Sequence, residues 1–143
     1  VFRHQAVHVG ISTQTEDGLM VPVIKHAEAR DVWDTANELV RVTTSAREKT
    51  ATVDELTGST ITITSLGAMG GLGATPIINH PEVSIVSIHA ARDQAVVRDG
   101  EVVVRKMMNL ASSFDHRIID GYDGALLIQE LKSMLEHPAT IFM

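Results

Sequence analysis

Between residues 107 and 136 the apolar pattern changes period, and few folds accommodate that change. Residues 107–114 are almost all apolar or small, as a largely buried strand requires. Further on, Leu126, Leu127, Leu131, Met134 and Leu135 recur at helical spacing within a predicted helix over 125–136. Asp115 to Gly124 must then link a strand to a helix. His116 falls where the strand ends, the kind of position at which scaffolds present reactive groups. Asp120 and Asp123 stand just ahead of the helix, where carboxylates cap free N–H groups and suit its positive end.

Imidazole ionises near neutrality and can take a proton from a thiol or hydroxyl. A lone histidine is more often a buried group satisfied by backbone carbonyls, so His116 needs its context to count as a base.

Upstream, residues 6–14 alternate and carry Val and Ile, Glu16-Asp17-Gly18 supplies a turn, and residues 19–24 return as a strand. Asp31 reads as the N-cap of a helix reaching about Lys49. Val32, Trp33, Ala36, Leu39, Val40 and Ala46 are expected on its apolar face. Residues 52–56 predict a short helical turn ended by Gly58. Residues 59–65 are β-branched almost throughout and predict a strand. Residues 67–75 hold four glycines and predict a loop with positive φ available. Residues 83–90 predict a buried strand, and 95–98 with 102–106 a hairpin turning at Asp99-Gly100. Helices flanking a strand-rich middle imply an α/β class, a two-layer sandwich with a mixed β-sheet.

Length bounds the architecture to one core, since 143 residues do not call for two domains. A net charge of −6 argues against nucleic acid, whose phosphates demand a basic face. The absence of cysteine excludes disulfides, thiolate metal sites and cysteine nucleophiles within this sequence. No apolar run approaches membrane-spanning length, and no signal peptide is visible. His4 and His8 have the spacing of a helical metal pair, but their segment reads as a strand and no third ligand presents itself, so no metal is expected. The glycine loop lacks the Gly-Lys-[Ser/Thr] of a phosphate loop.

Asp115-His116-Arg117-Ile118-Ile119-Asp120-Gly121 matches Asp-His-Arg-x-x-Asp-Gly at every fixed position. With it come Glu16-Asp17-Gly18-Leu19-Met20-Val21-Pro22, Thr64-Ser65-Leu66-Gly67 with Gly70-Gly71, and Pro81-Glu82-Val83, in that order. The chain resembles, over essentially its whole length, the catalytic domain of the 2-oxoacid dehydrogenase dihydrolipoamide acyltransferases. Its fold would then be chloramphenicol acetyltransferase-like. The chloramphenicol acetyltransferases themselves share only the looser His-x-x-x-Asp-Gly.

The resemblance implies a mechanism. His116 would deprotonate the thiol of coenzyme A or of dihydrolipoamide, and the thiolate would attack the other's thioester. A hydroxyl would meet the oxyanion, and the alignment puts Thr64 there, 52 positions before His116, where many members carry Ser. Asp120 would orient the loop of His116 through an ion pair to an arginine that this sequence does not contain; a purely structural N-cap is the competing role. Thr43, Ser65, His89 and Ala91 fall where the family contacts coenzyme A, whereas Gln14 stands where it often has Asp. The family's catalytic domain is longer at its N-terminus, and residues 1–143 are expected to be its C-terminal larger part, with lipoyl and subunit-binding domains absent.

The implied partners are two further copies in a homotrimer, a unit that a larger symmetric cage could be built from, a separate lipoyl domain bearing lipoamide, and the 2-oxoacid dehydrogenase and dihydrolipoamide dehydrogenase components. The implied location is the bacterial cytoplasm, or the mitochondrial matrix in a eukaryote. Met107-Met108-Asn109-Leu110 favours the branched-chain members over the acetyl- or succinyl-transferring ones. Two alternatives stay open, an assembly core with little activity as this fragment and a free-standing small-molecule acetyltransferase.

Overall fold

The computed structural model describes residues 1–67 and 71–142. Its centre is a five-stranded mixed sheet of β1 (Val9–Ile11), β4 (Val23–Ile24), β5 (Ile61–Ser65), β6 (Ser84–Ile88) and β9 (Leu110–Phe114), in the order β4-β1-β5-β6-β9. β1, β5 and β6 run parallel, while β4 and β9 are antiparallel edges. Two ribbons accompany it, β2 (Thr13–Thr15) with β3 (Gly18–Met20), and β7 (Arg92–Arg98) with β8 (Glu101–Met107). Helix α1 (Val32–Arg47) packs on β2 and β4, and α2 (Gly121–Glu136) on β9. The expected α/β class with a mixed sheet is the one found.

The early hairpin is one ribbon shared between two sheets. Its register runs unbroken from Val9 opposite Ile24 to Thr15 opposite Gly18. Pro22 has no N–H to give, but its carbonyl accepts from Ile11 N at 2.8 Å and carries the pairing across the join. Thr13 and Thr15 face inward while Gln14 faces out.

Asp31 caps α1 as expected, its carboxylate accepting from Asp34 N at 2.7 Å. Of the expected apolar face only Ala46 is buried. Val42, Thr43 and Ala46 are buried, whereas Trp33 is 74% and Val40 62% exposed. Sequence periodicity marks an apolar stripe but not which rim of it the sheet meets, and here β2 and β4 meet the rim centred on Val42.

The strand expected over 107–114 is two strands. Met107 closes β8, and the sheet takes up the chain again at Leu110 after Met108-Asn109. The β7–β8 turn has Asp99 at φ 53° and Gly100 at φ 85°, the doubly left-handed turn that matches strand twist. In the glycine loop Gly67 has φ 53° and Gly71 φ 119°, while Gly70 lies outside the described residues.

The interior is narrow and polar. Val23, Ile24, Val42, Ile85 and Val86 supply its apolar bulk, beside buried Thr62, Glu82, Ser87 and His89. The accessible surface is 10178 Å² for a chain of 15.5 kDa. A compact monomer of that mass exposes about 7,200 Å². Open apolar side chains contribute to the excess, among them Trp33 and Val40 on α1, Val97 and Val102 on the β7–β8 ribbon, and Leu126 and Leu135 on α2.

Candidate active site

The turn that carries His116 is assembled by Asp115. As the chain leaves β9, Asp115 N donates to Val83 O at 2.8 Å. Its own carbonyl accepts from Ile118 N and Ile119 N, both at 2.9 Å, and closes the turn. Its carboxylate accepts from Arg117 N at 3.1 Å, from Nε at 2.9 Å and from Nη2 at 2.7 Å. The Arg117 guanidinium thereby holds the Asp115 carboxyl down at about 2. On the far side Asp120 caps α2, one carboxylate oxygen accepting from Tyr122 N and Asp123 N at 2.9 Å each. Between these anchors His116 is exposed, and its ring has no protein hydrogen bond among the described residues.

Asp120 therefore does the work of an N-cap, and no ion pair to it occurs among the described residues. The sequence already placed Asp120, with Asp123, at the helix start. It did not show that Asp115, rather than Asp120, closes the turn.

Thr64 and Ser65 lie at the other end of the sheet. Thr64 is half-buried and pairs with Ser87, which in turn pairs with Ala111 of β9. Phe114 is three residues farther along β9. At about 3.3 Å per residue and about 4.8 Å per strand, the Thr64 and Phe114 Cα atoms are about 14 Å apart, with His116 beyond. One chain does not bring these two side chains to one reacting atom.

Thr43 and Ser65 do come together. They line an open cleft of about 530 Å³ with Leu39, Val40, Ile63 and Ile88. The Thr43 hydroxyl donates back to Leu39 O at 2.7 Å, so toward a ligand its oxygen is chiefly an acceptor. His89 follows β6 and is buried, with neither ring nitrogen hydrogen-bonded among the described residues. Ala91 is exposed just before β7. Among the described residues no cluster of three or more His, Cys, Asp or Glu is arranged to hold a metal ion.

Glu82 escaped the sequence reading as a residue with a role of its own. It is buried, and its Oε1 accepts from Ser59 Oγ, from Thr62 Oγ1 at 2.8 Å and from Asn79 Nδ2 at 3.1 Å. The available signal was a carboxylate placed directly before an apolar strand.

The chain is thus an α/β domain whose mixed sheet delivers, from an edge strand, a histidine-bearing turn to a capped helix. It belongs to the 2-oxoacid dehydrogenases acyltransferase (catalytic domain) family, whose model matches residues 1–143. It is 55% identical, over all 143 residues and 33% of the relative's length, to the lipoamide acyltransferase component of the branched-chain alpha-keto acid dehydrogenase complex of Pseudomonas aeruginosa. To the dihydrolipoyllysine-residue acetyltransferase component of the Bacillus subtilis pyruvate dehydrogenase complex it is 40% identical over 143 residues, 100% of this chain and 32% of that one. The chain thus spans about a third of these curated relatives. The fold matches Azotobacter vinelandii dihydrolipoamide acetyltransferase at a TM-score of 0.93 and 37% identity, covering 99% of this chain and 58% of that one. That structure addresses the role of a serine, a histidine and an asparagine in the catalytic mechanism.

Proposed function

We propose that the full-length protein transfers an acyl group between a lipoyl group and coenzyme A within a 2-oxoacid dehydrogenase complex. The observation that carries this reading is the outward turn of His116, in a chain 55% identical throughout to a lipoamide acyltransferase component. The serine, histidine and asparagine of the Azotobacter enzyme are spaced by 52 and then four positions, and Thr64, His116 and Asp120 keep both intervals. Thr retains the hydroxyl, and Asp retains the cap acceptor.

In this mechanism His116 takes the proton of the incoming thiol. The thiolate adds to the thioester carbonyl, and the oxyanion accepts a hydrogen bond from Thr64. As the tetrahedral intermediate collapses, the C–S bond to the departing sulfur breaks and the imidazolium returns the proton to it. The distance between Thr64 and His116 within one chain supports a site shared between two copies. A homotrimer, itself part of a larger symmetric cage, would supply it and would cover the open apolar faces. Coenzyme A would lie along the cleft of Thr43 and Ser65, and His89 and Ala91, which follow the cleft-lining Ile88 in the sequence, would add contacts to it. A separate lipoyl domain would deliver lipoamide, and the two dehydrogenase components would complete the assembly in a bacterial cytoplasm.

We infer a branched-chain acyl group from the same identity. The test is acyl transfer to dihydrolipoamide by the full-length protein, with isobutyryl-CoA and acetyl-CoA compared. Transfer with a higher kcat/KM for isobutyryl-CoA is expected. No transfer from either would overturn the function, and a preference for acetyl would overturn the branched-chain assignment alone.

A further inference from the structure

Glu82 joins the start of β5 to the turn that carries His116. Three donors converge on its Oε1, from Ser59 and Thr62 on the β5 side and from Asn79 in the approach to β6. Glu82 N donates to Asn79 O at 3.0 Å and tightens the same bend. Its other carboxylate oxygen is buried without a partner among the described residues. The next residue, Val83, supplies the carbonyl that accepts from Asp115 N. Among the described residues that is the one backbone hydrogen bond from the 115–119 turn to another part of the chain. Glu82, Val83, Asp115 and Arg117 also face a common cavity of about 330 Å³ with Ser59 and Thr60.

A buried carboxylate is a poor choice for filling space, because its desolvation must be offset by hydrogen bonds. Hydrophobic residues of similar size would pack this position without that cost. What the carboxylate adds is direction. It fixes the bend 79–82 against β5, and so fixes where the Val83 carbonyl points. Asp115 hangs from that carbonyl, and its backbone and side chain shape the turn that presents His116.

We propose that Glu82 is a positioning residue for His116. The inference rests on the reading of His116 as the general base. Misplacing a catalytic group by about 1 Å lowers turnover by up to about 100-fold without removing it.

The test uses the full-length protein with two readouts, steady-state acyl transfer and the rate at which diethylpyrocarbonate modifies His116, followed by peptide mass spectrometry. Glu82→Ala is expected to lower kcat by about tenfold or more, with KM for acyl-CoA and for dihydrolipoamide held within about threefold. The modification rate of His116 should change by about threefold or more in the same variant. Glu82→Gln keeps an oxygen for the three donors and should restore kcat to within about threefold of wild type. Folded Glu82→Ala with unchanged kcat and unchanged His116 reactivity overturns the proposal, as does Glu82→Gln that is no better than Glu82→Ala. If Glu82→Ala does not fold, Ser59→Ala with Thr62→Val removes two of the donors at little change in volume, and unchanged kcat there overturns it equally. A wild-type protein without transfer activity defeats the reading of His116 as base, while the modification rates still decide whether Glu82 sets its geometry.

Discussion

Thr64 and His116 project from opposite ends of one sheet, Thr64 level with Ala111 and His116 past the far end of β9 at Phe114. If both serve one reaction, they come from different copies. Mixing His116→Ala with Thr64→Ala subunits should therefore return activity, because some interfaces then hold one intact His116 and one intact Thr64. Subunit mixing is followed by mass spectrometry and activity by thioester formation. Mixed oligomers without recovered activity would refute the shared site.

His116→Ala should lower kcat by about 10²–10⁴-fold with little change in KM, as for loss of a proton acceptor in the transition state. Because the side chain is exposed and makes no protein hydrogen bond among the described residues, the melting temperature should stay put. A large drop in melting temperature would mean the ring is structural.

Asp120→Asn preserves the acceptor used by Tyr122 N and Asp123 N, so most stability and activity should survive. Asp120→Ala removes the cap and should destabilise by about 1 kcal/mol. Denaturant melts of both variants check this. If Asp120→Asn loses activity while keeping its stability, the charge itself is needed.

Gly124 lies in the first turns of α2 against Phe114, and an added Cβ would sit 2.9 Å from two of its ring carbons. Alanine returns about 1 kcal/mol of helix propensity. Overpacking costs about 1–3 kcal/mol, so Gly124→Ala should be net destabilising by roughly 1 kcal/mol. Calorimetry decides the sign, and a stabilised variant would show that the ring moves aside freely.

Acid should loosen the His116 turn only at very low pH. Arg117 holds the Asp115 carboxyl at about 2 in the fold against an ordinary value of 3.8. The group's contribution is thus fully present above about pH 4 and is lost as pH falls through about 2. At low salt the melting-temperature difference between wild type and Asp115→Asn should be constant from pH 5 to neutrality and shrink toward pH 2. A difference that vanishes near pH 6 would place the clamp elsewhere.

Much of this was legible because it is local. Asp31 and Asp120 announce their helices through capping chemistry, and Asp99-Gly100 announces its turn. The mixed sheet follows from where β-branched runs alternate with a helical stripe. What stayed hidden depends on long-range register. The sequence shows that α1 has an apolar side, but only packing on β2 and β4 selects Val42 over Val40 for the interior. It shows a hydroxyl at Thr64 and an imidazole at His116, but only the pairing of β5, β6 and β9 sets them at opposite ends of one sheet. Glu82 was invisible as an anchor because its donors lie up to 23 positions away, at Ser59.

The unbroken register of the ribbon from Val9 to Ile24 restricts how this segment can change through evolution. Side chains alternate between faces at every residue, so a single-residue insertion in either arm would turn Thr13 and Thr15 outward, or slide Val23 and Ile24 off the core. Length changes should be tolerated at Glu16-Asp17, where the chain reverses, or as matched changes in both arms. Descendants of this sequence are thus expected to vary at the tip of the ribbon and to keep its arms equal in length.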